Sequence, residues 1–382
     1  MMKSSLPSGF VRHINLDMKA SKQYPVYPPL FFVRATERLR RFCTRVNRRF
    51  THPNVVLWEM VHQMWVAAGI SVAVQLGIAD LLKQGPMDIA GLARETGTHE
   101  DSLYRLMRML ATQGLFKESG ERLFASTRLS KPLQEDQIRY LLMTHLRAGQ
   151  FEVFGDLMQS VKTGKNVRGR DSGRGLFDQI EGDVERNERF TRAMTSASRM
   201  LAGALVAAFP FKRYEKIIDV GGGQGFLLAA ILDRNPGIRG TVFDLPGAIS
   251  KAERIIGEFS LEERMDAVAG DFFDKVPEGG DLYLMKSILH DWSDEDALKI
   301  LTRVREAMPD SSRLLVIEPV IGKNNRPEFG KMTDILMMAA VGGKERTRNE
   351  WEALLTDAGF MIRKIHGTVS PQHLIEVVKS KP

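Results

Sequence analysis

With 382 residues and 43% apolar side chains, the chain is long enough for two ordinary domains, each with its own core. A single cysteine, Cys43, excludes an internal disulfide and any thiolate-rich zinc or iron-sulfur site, so no metal is expected. The net charge of +7 is concentrated at the front: residues 1–50 hold 11 Lys/Arg against 2 Asp/Glu, leaving a near-neutral 43 against 45 beyond them. No uninterrupted run reaches the roughly 18 uncharged apolar residues of a membrane span, and no apolar secretory signal opens the chain, which makes a cytoplasmic protein the expectation.

Residues 1–53 are expected to form a basic, flexible extension. Its charge lies in "RATERLRRFCTRVNRR", where Arg34, Arg38, Arg40, Arg41, Arg45, Arg48 and Arg49 are opposed only by Glu37. Such a stretch suits an anionic partner or a targeting role, but the proline-broken "YPVYPPL" before it favours a solvated, partly disordered leader. Residues 54–135 begin with the helical stretches "VVLWEMVHQMWVAAGISVAVQLG" and "IADLL". These are apolar nearly all round, as in a helix covered by a partner chain, so a homodimer through the N-terminal helices is expected.

Next, Ala90, Leu92 and Ala93 fit one short helix, and Thr98 with Asp101 has the spacing of a capping box. It would open a second helix striped by Leu103, Leu106, Met107 and Leu110. "GLFKESGERLFAST" reads as a hairpin turning at Ser119 and Gly120, which completes a winged helix-turn-helix. The second helix offers only Arg105 and Arg108 off its apolar face, too little positive charge for a reader of nucleic acid. A packing or dimerisation module is favoured.

Residues 136–208 look mainly helical, interrupted by the glycine-rich "KTGKNVRGRDSGRG". From residue 209 the rhythm changes to strand-helix alternation: "EKIIDV", "FLLAAILDRN", "GTVFDL", "AISKAERIIGEF", "MDAVAGD", "DLYLMKSI", "DEDALKILTRVREAM", "RLLVIEPVI", "WEALLTDAGF", "MIRKIHGTV" and "HLIEVVKS". The fold class is therefore α/β, a doubly wound parallel sheet of Rossmann-like form over residues 209–382, preceded by the helical winged-helix domain.

The first of these strands runs into "DVGGGQG". A dinucleotide fingerprint beginning at Gly221 would require glycine where Phe226 stands, which removes a nicotinamide dehydrogenase. The spacing Asp219, Gly221, Gly223, Gly225 resembles motif I of S-adenosylmethionine-dependent methyltransferases. Ligands of open α/β sheets sit at the carboxyl ends of the strands, where Asp244, Asp271 with Phe272 and Phe273, and His290 should converge. Asp244 could accept ribose hydroxyls, and Asp271 an adenine amino group; each alone would serve equally as a helix cap. Glu318, ending the adjoining strand, and Glu345, in "GGKERT", could each hold the far nitrogen of His290.

"DVGGGQG", "FDLP", "GDFF", "HDWSDE" and "GGKERT", in that order and spacing, resemble the caffeate/flavonoid-type O-methyltransferase family, including its bacterial secondary-metabolism branch. "FTRAM" resembles the stretch preceding that family's cofactor fold, and the likeness spans roughly residues 55 to 380. The resemblance implies S-adenosyl-L-methionine as cofactor. Gly221 would then bracket its methionine portion, Asp244 the ribose, Asp271 and Phe272 the adenine, with Gly223, Gly225 and Lys286 as further cofactor-binding positions. It also implies His290 as general base, flanked by Glu318 and Glu345, acting on a hydroxyl of a small metabolite. Phe190, Met194, Asp291 and Met338 are candidates for the acceptor pocket, with Met332 and Met337 as further methionines that could line an apolar cavity. Relatives resembling anthracycline-tailoring enzymes, which use the same fold for hydroxylation or decarboxylation, are the alternative; a DNA-binding regulator is a more distant one.

Overall fold

The computed structural model describes residues 24–25, 27–134, 138–146, 148–167 and 174–380. The first 23 residues of the basic leader and residues 168–173 of the glycine-rich stretch lie outside the described residues.

The leader's remainder is ordered. Tyr24 is buried in the main core, the Tyr27 hydroxyl donates to the Met200 carbonyl at 2.5 Å, and a Cβ on Gly203 would lie 2.0 Å from the Pro25 carbonyl. Tyr24, Pro25 and Tyr27 of the proline-stiffened "YPVYPPL", expected to be loose, thus lie in contact with the body at a position that only glycine leaves open. It leads into a helix, Leu30–Phe50, with no buried residue.

The Pro53–Gln75 helix follows, capped by His52. Only Gly69, Ser71, Ala73 and Val74 of it are buried, while Leu57, Trp58 and Trp65 are each at least 60% exposed. Contrary to expectation it is long and apolar enough to cross a membrane by length and composition, with a window of mean hydropathy 1.3. Glu59, His62 and Gln63 break the run, which is why a search for unbroken apolar sequence passes over it.

Helices Ile89–Thr96 and Glu100–Thr112 pack beside β1 (Met87–Asp88), β2 (Phe116–Gly120) and β3 (Leu123–Ser126), whose order is β1-β3-β2. Leu103, Met107 and Leu110 form the buried stripe, with Leu106 partly buried. Two local expectations are corrected. The cap of the second helix is His99, whose Nδ1 accepts from the Ser102 amide at 3.4 Å, because Thr98 is engaged with Thr96. The hairpin turns at Glu121 and Arg122, since Gly120 already pairs with Leu123 and Arg122 takes the positive φ of 54°.

Helices Arg139–His145, Ala148–Gly155, Leu157–Thr163, Arg174–Glu181 and Val184–Ala208 bridge to the large sheet. Its seven strands are β4 (Lys216–Val220), β5 (Arg239–Asp244), β6 (Met265–Ala269), β7 (Leu282–Lys286), β8 (Arg313–Glu318), β11 (Phe360–Gly367) and β12 (His373–Lys379); the short β9 (Val320–Ile321) and β10 (Arg346–Thr347) pair separately. The order is β11-β12-β8-β7-β4-β5-β6. Six strands run in one direction and β12 alone runs against them, antiparallel to both β8 and β11, so the sheet is mixed rather than wholly parallel. The last two strands form a hairpin, joined by a short connection that leaves no room for a parallel crossover.

Apolar layers lie on both faces, one under helix Phe226–Arg234, the other under helices Asp294–Ala307 and Arg348–Asp357. Predicted helix "AISKAERIIGEF" is two pieces, Pro246–Ile249 and Ala252–Glu258, and helix Phe329–Ala340 has no counterpart among the expected elements.

Gly225 has a positive φ of 81°, and a Cβ there would lie 2.3 Å from Met265 Cε. It is the N-cap of Phe226–Arg234 and lets that helix close on the sheet. Gly225→Ala is expected to cost about 2 kcal/mol of stability, read as a lowered midpoint in chemical denaturation.

Candidate active site

The parallel strands deliver their carboxyl ends to one rim. β4 ends at Val220 and gives way to Gly221, β5 ends in Asp244, β6 stops two residues short of Asp271, β7 ends in Lys286 and β8 in Glu318. A cleft runs over this rim, lined among others by Gly221, Gly223, Asp244, Asp271, Phe272 and Lys286, and by Phe190, Met194 and Asp291. With two exceptions, the predicted cofactor and pocket residues are thus brought together, while His290, Glu318 and Glu345 cluster at the edge of the cleft without lining it. Gly225 faces the sheet, and Met338 does not line the cleft, nor do Met332, which is exposed, and Met337, which is buried in its own helix.

At the glycine turn the Gly223 amide donates to Asp244 Oδ2 at 2.7 Å and the Leu245 amide to Oδ1 at 2.7 Å. Burial raises the Asp244 pKa to about 6, and these two bonds oppose the rise. Asp219 lies beneath the turn, 1% exposed, with neither carboxylate oxygen hydrogen-bonded. Burial lifts its pKa to about 7, against the charge of Lys286, whose own pKa is lowered by burial. The sequence reading used Asp219 only to set the motif's register. Gln224 was likewise passed over; it is buried, lines the cleft, and accepts from Thr195 Oγ1 at 3.0 Å. Its one signal was to be the lone polar side chain among four glycines.

Past β7 the chain turns sharply. Ser287 adopts a φ of 54°, the Ile288 amide donates to Glu318 Oε1 at 2.9 Å, and a short 3-10 turn, Leu289–Asp291, presents His290. Its Nδ1 lies 3.0 Å from Glu345 Oε1 and 3.5 Å from Glu318 Oε2. A carboxylate only accepts, so Nδ1 carries the proton, and Nε2 lies 3.7 Å from Oδ1 of Asp291, a residue that lines the cleft. Burial disfavours the charged ring, yet the carboxylates of Glu318, Asp291 and Glu345 outweigh it and raise the His290 pKa to about 10. Glu318 is itself raised by complete burial, against the pull of the imidazolium. Nδ1 and the two glutamates come within 4.8 Å of one another, a spacing that a metal ion could also use.

The turn is gripped from the far side by residues 343–346. Thr333 donates to Glu345 Oε1 at 2.8 Å, and the Glu345 amide donates to Asp334 at 2.9 Å. Arg346, fully buried, donates to the carbonyls of Leu289 (2.8 Å) and Trp292 (3.2 Å) and to Asp294 Oδ1. Thr333, Asp334 and Arg346 did not figure among the site residues expected from sequence, which took only methionines from helix Phe329–Ala340.

The family model for the O-methyltransferase domain matches residues 154–361, and that for the O-methyltransferase dimerisation domain matches 58–136. The chain belongs to the O-methyltransferase family. Mitomycin biosynthesis 6-O-methyltransferase of Streptomyces lavendulae is 37% identical over 84% of this chain and 93% of that protein. The crystal structure of LaPhzM superposes with a TM-score of 0.81 at 32% identity, covering 86% of this chain and 100% of that one. NcsB1, an O-methyltransferase from neocarzinostatin biosynthesis solved with S-adenosylmethionine and 2-hydroxy-5-methyl naphthoic acid, has a TM-score of 0.69 at 30% identity over 82% of this chain and 96% of that one. The enzyme is an S-adenosylmethionine-dependent O-methyltransferase of a family that modifies small metabolites.

A Cβ on Gly343 would lie 2.0 Å from the His290 carbonyl oxygen and 2.9 Å from Asp291 Cα. Gly343→Ala must therefore push the histidine turn aside. Turnover is expected to fall about a hundredfold while cofactor affinity, measured by calorimetry, stays near that of the parent.

Proposed function

We propose that this methyltransferase methylates a phenolic hydroxyl of a small aromatic metabolite, with His290 as general base and no metal ion. The observation that carries the reading is the His290–Glu345 pair at 3.0 Å, with Nε2 left beside Asp291 at the edge of the cofactor cleft.

The cleft fits the cofactor. Asp244, partly buried, lines the cleft at the glycine turn, and the buried Asp219 beneath it, its oxygens without a hydrogen bond, adds a second carboxylate that favours a cationic ligand. Asp244 suits the ribose hydroxyls, and Asp271 with the ring of Phe272 suits the adenine. Bound S-adenosylmethionine supplies a methyl group on a sulfonium, open to in-line displacement by an oxygen nucleophile. Positioning the acceptor oxygen is the protein's first contribution.

The second is acidity. A phenol near pKa 10 and a free imidazole near 6.5 leave proton transfer uphill by about 3.5 units, roughly 5 kcal/mol. In this site the imidazole is raised to about 10, which brings it level with the phenol. His290 Nε2 takes the proton, Glu345 holds the ring's orientation through Nδ1, and Glu318 stabilises the imidazolium that forms.

A second cavity, about 560 Å³, lies between Ser71, Val72 and Gln75 of the Pro53–Gln75 helix and Met143, Phe151 and Arg189. It shares Ile180 and Phe190 with the cofactor cleft, so residues 136–208 join the two spaces. A flat aromatic acceptor fits this cavity. The exposed apolar faces of Leu57, Trp58 and Trp65 support a homodimer through residues 54–135, the region matched by the dimerisation model.

Incubation with methyl-labelled S-adenosylmethionine and a panel of phenols, read by mass spectrometry, is expected to give a product heavier by one methyl, with or without a chelator. A hydroxylated or decarboxylated product without the label would refute the assignment. His290→Ala should lower turnover by about two orders of magnitude or more with cofactor affinity unchanged.

The pH profile provides a separate check. The reactive state has one proton fewer than the cluster holds at neutral pH, so kcat/KM should rise with pH toward the His290 pKa of about 10. Glu345→Gln removes a carboxylate that favours the imidazolium. The ring then loses its proton at lower pH, so the rising limb should move toward acid and its plateau should fall. A limb that stays in place would show that Glu345 does not tune the base.

A further inference from the structure

The Leu30–Phe50 helix segregates its side chains sharply. At about 100° per residue, Phe31, Phe32, Leu39, Phe42, Val46 and Phe50 fall within a sector of about 100°, and each is at least 38% exposed. Arg34, Arg38, Arg45 and Arg49 run along one border of that stripe, and the uncharged Thr36, Cys43 and Asn47 along the other. The side toward the protein is different: Leu30, Val33, Glu37 and Arg41 are its partly covered residues. The helix is held in this attitude at both ends. Tyr24, Pro25 and Tyr27 anchor the approach to the Val184–Ala208 helix, and only Thr51 and His52 separate its end from Pro53–Gln75. The apolar stripe consequently points away from the body.

We infer that this helix is an interfacial anchor for an anionic lipid surface, lying flat with its phenylalanines at the acyl boundary and its arginines among the headgroups. A strong apolar stripe bordered by arginines, with one acid in the helix, is the pattern of helices that lie in a membrane interface. Long arginine side chains reach outward from the stripe without burying their charge. Charge argues against a second copy as the occupant. It would bring the same arginines, and the rest of the chain, with 43 Lys/Arg against 45 Asp/Glu, has no acidic excess to receive them. The methyltransferase would thus act at a membrane surface where apolar aromatic acceptors concentrate, an inference that stands whether or not the acceptor is phenolic.

The test is flotation of the full-length protein with vesicles of phosphatidylglycerol and phosphatidylcholine, against vesicles of phosphatidylcholine alone. Binding to the anionic vesicles alone is expected, weakened by salt and by roughly fivefold for each of Arg38→Gln, Arg45→Gln and Arg49→Gln. Leu39→Glu with Phe42→Glu should weaken it by at least about tenfold, with the circular dichroism, native mass and methyl transfer to a soluble acceptor unchanged. No flotation of the parent, or equal flotation of the double variant, would overturn the inference. A fall in the native mass of the double variant in the absence of lipid would assign the stripe to a second copy instead.

Discussion

One imidazole and three carboxylates share a small, largely dry volume at the rim of the sheet, and the charge balance among them governs the site. His290, Glu318, Glu345 and Asp291 come from three separate places in the chain, and none of the acids would be favourable there alone. Removing His290 leaves the acids uncompensated, and removing an acid loosens the hold on the imidazolium, so the cluster acts as a unit. Its geometry explains why the chain invests in rigid supports around it: the Ile288 amide on Glu318, the Thr333 hydroxyl and the Asp334 carboxylate on Glu345, and a buried arginine on the histidine turn.

Arg346 shows how that support is made. Its guanidinium satisfies two carbonyls of the turn and one carboxylate oxygen with the fixed fork of donors that lysine lacks. Gly343 allows the same strand of chain to lie directly against the His290 carbonyl. The segment that provides the orienting carboxylate therefore also fixes the turn it orients, and the two cannot drift independently.

Much of this was legible in the sequence because it depends on strand ends. The glycine turn, Asp244, Lys286, His290 and Glu318 lie at or just past a β-run, and the doubly wound pattern alone brings such ends to one rim. What stayed hidden depends on side-chain direction or on pairing across long separations. Gly225 belongs to the motif yet faces Met265, and the methionines near residue 338 share a helix that turns them from the cleft. The antiparallel course of β12 is set by its hairpin with β11, not by any feature of its own residues. Thr98 had the capping spacing, but His99 with a ring nitrogen took the role. Tyr24, Pro25 and Tyr27 of the leader escaped notice for a related reason: the prolines signal a break, while the fit of Pro25 on Gly203 exists only once the body is assembled.

The position of β12 has an outcome for the chain's biogenesis. Among the strands of the large sheet it is made last, yet it sits between β8 and β11 and pairs His373 with Glu318. Until residue 379 has left the ribosome, β8 keeps an open edge in the middle of the domain, and the backbone beneath Glu318 has a neighbour on one side alone. Such an edge is a template for pairing with other chains. The nascent domain therefore carries an unpaired inner edge until its last strand emerges, although its cofactor turn is made long before.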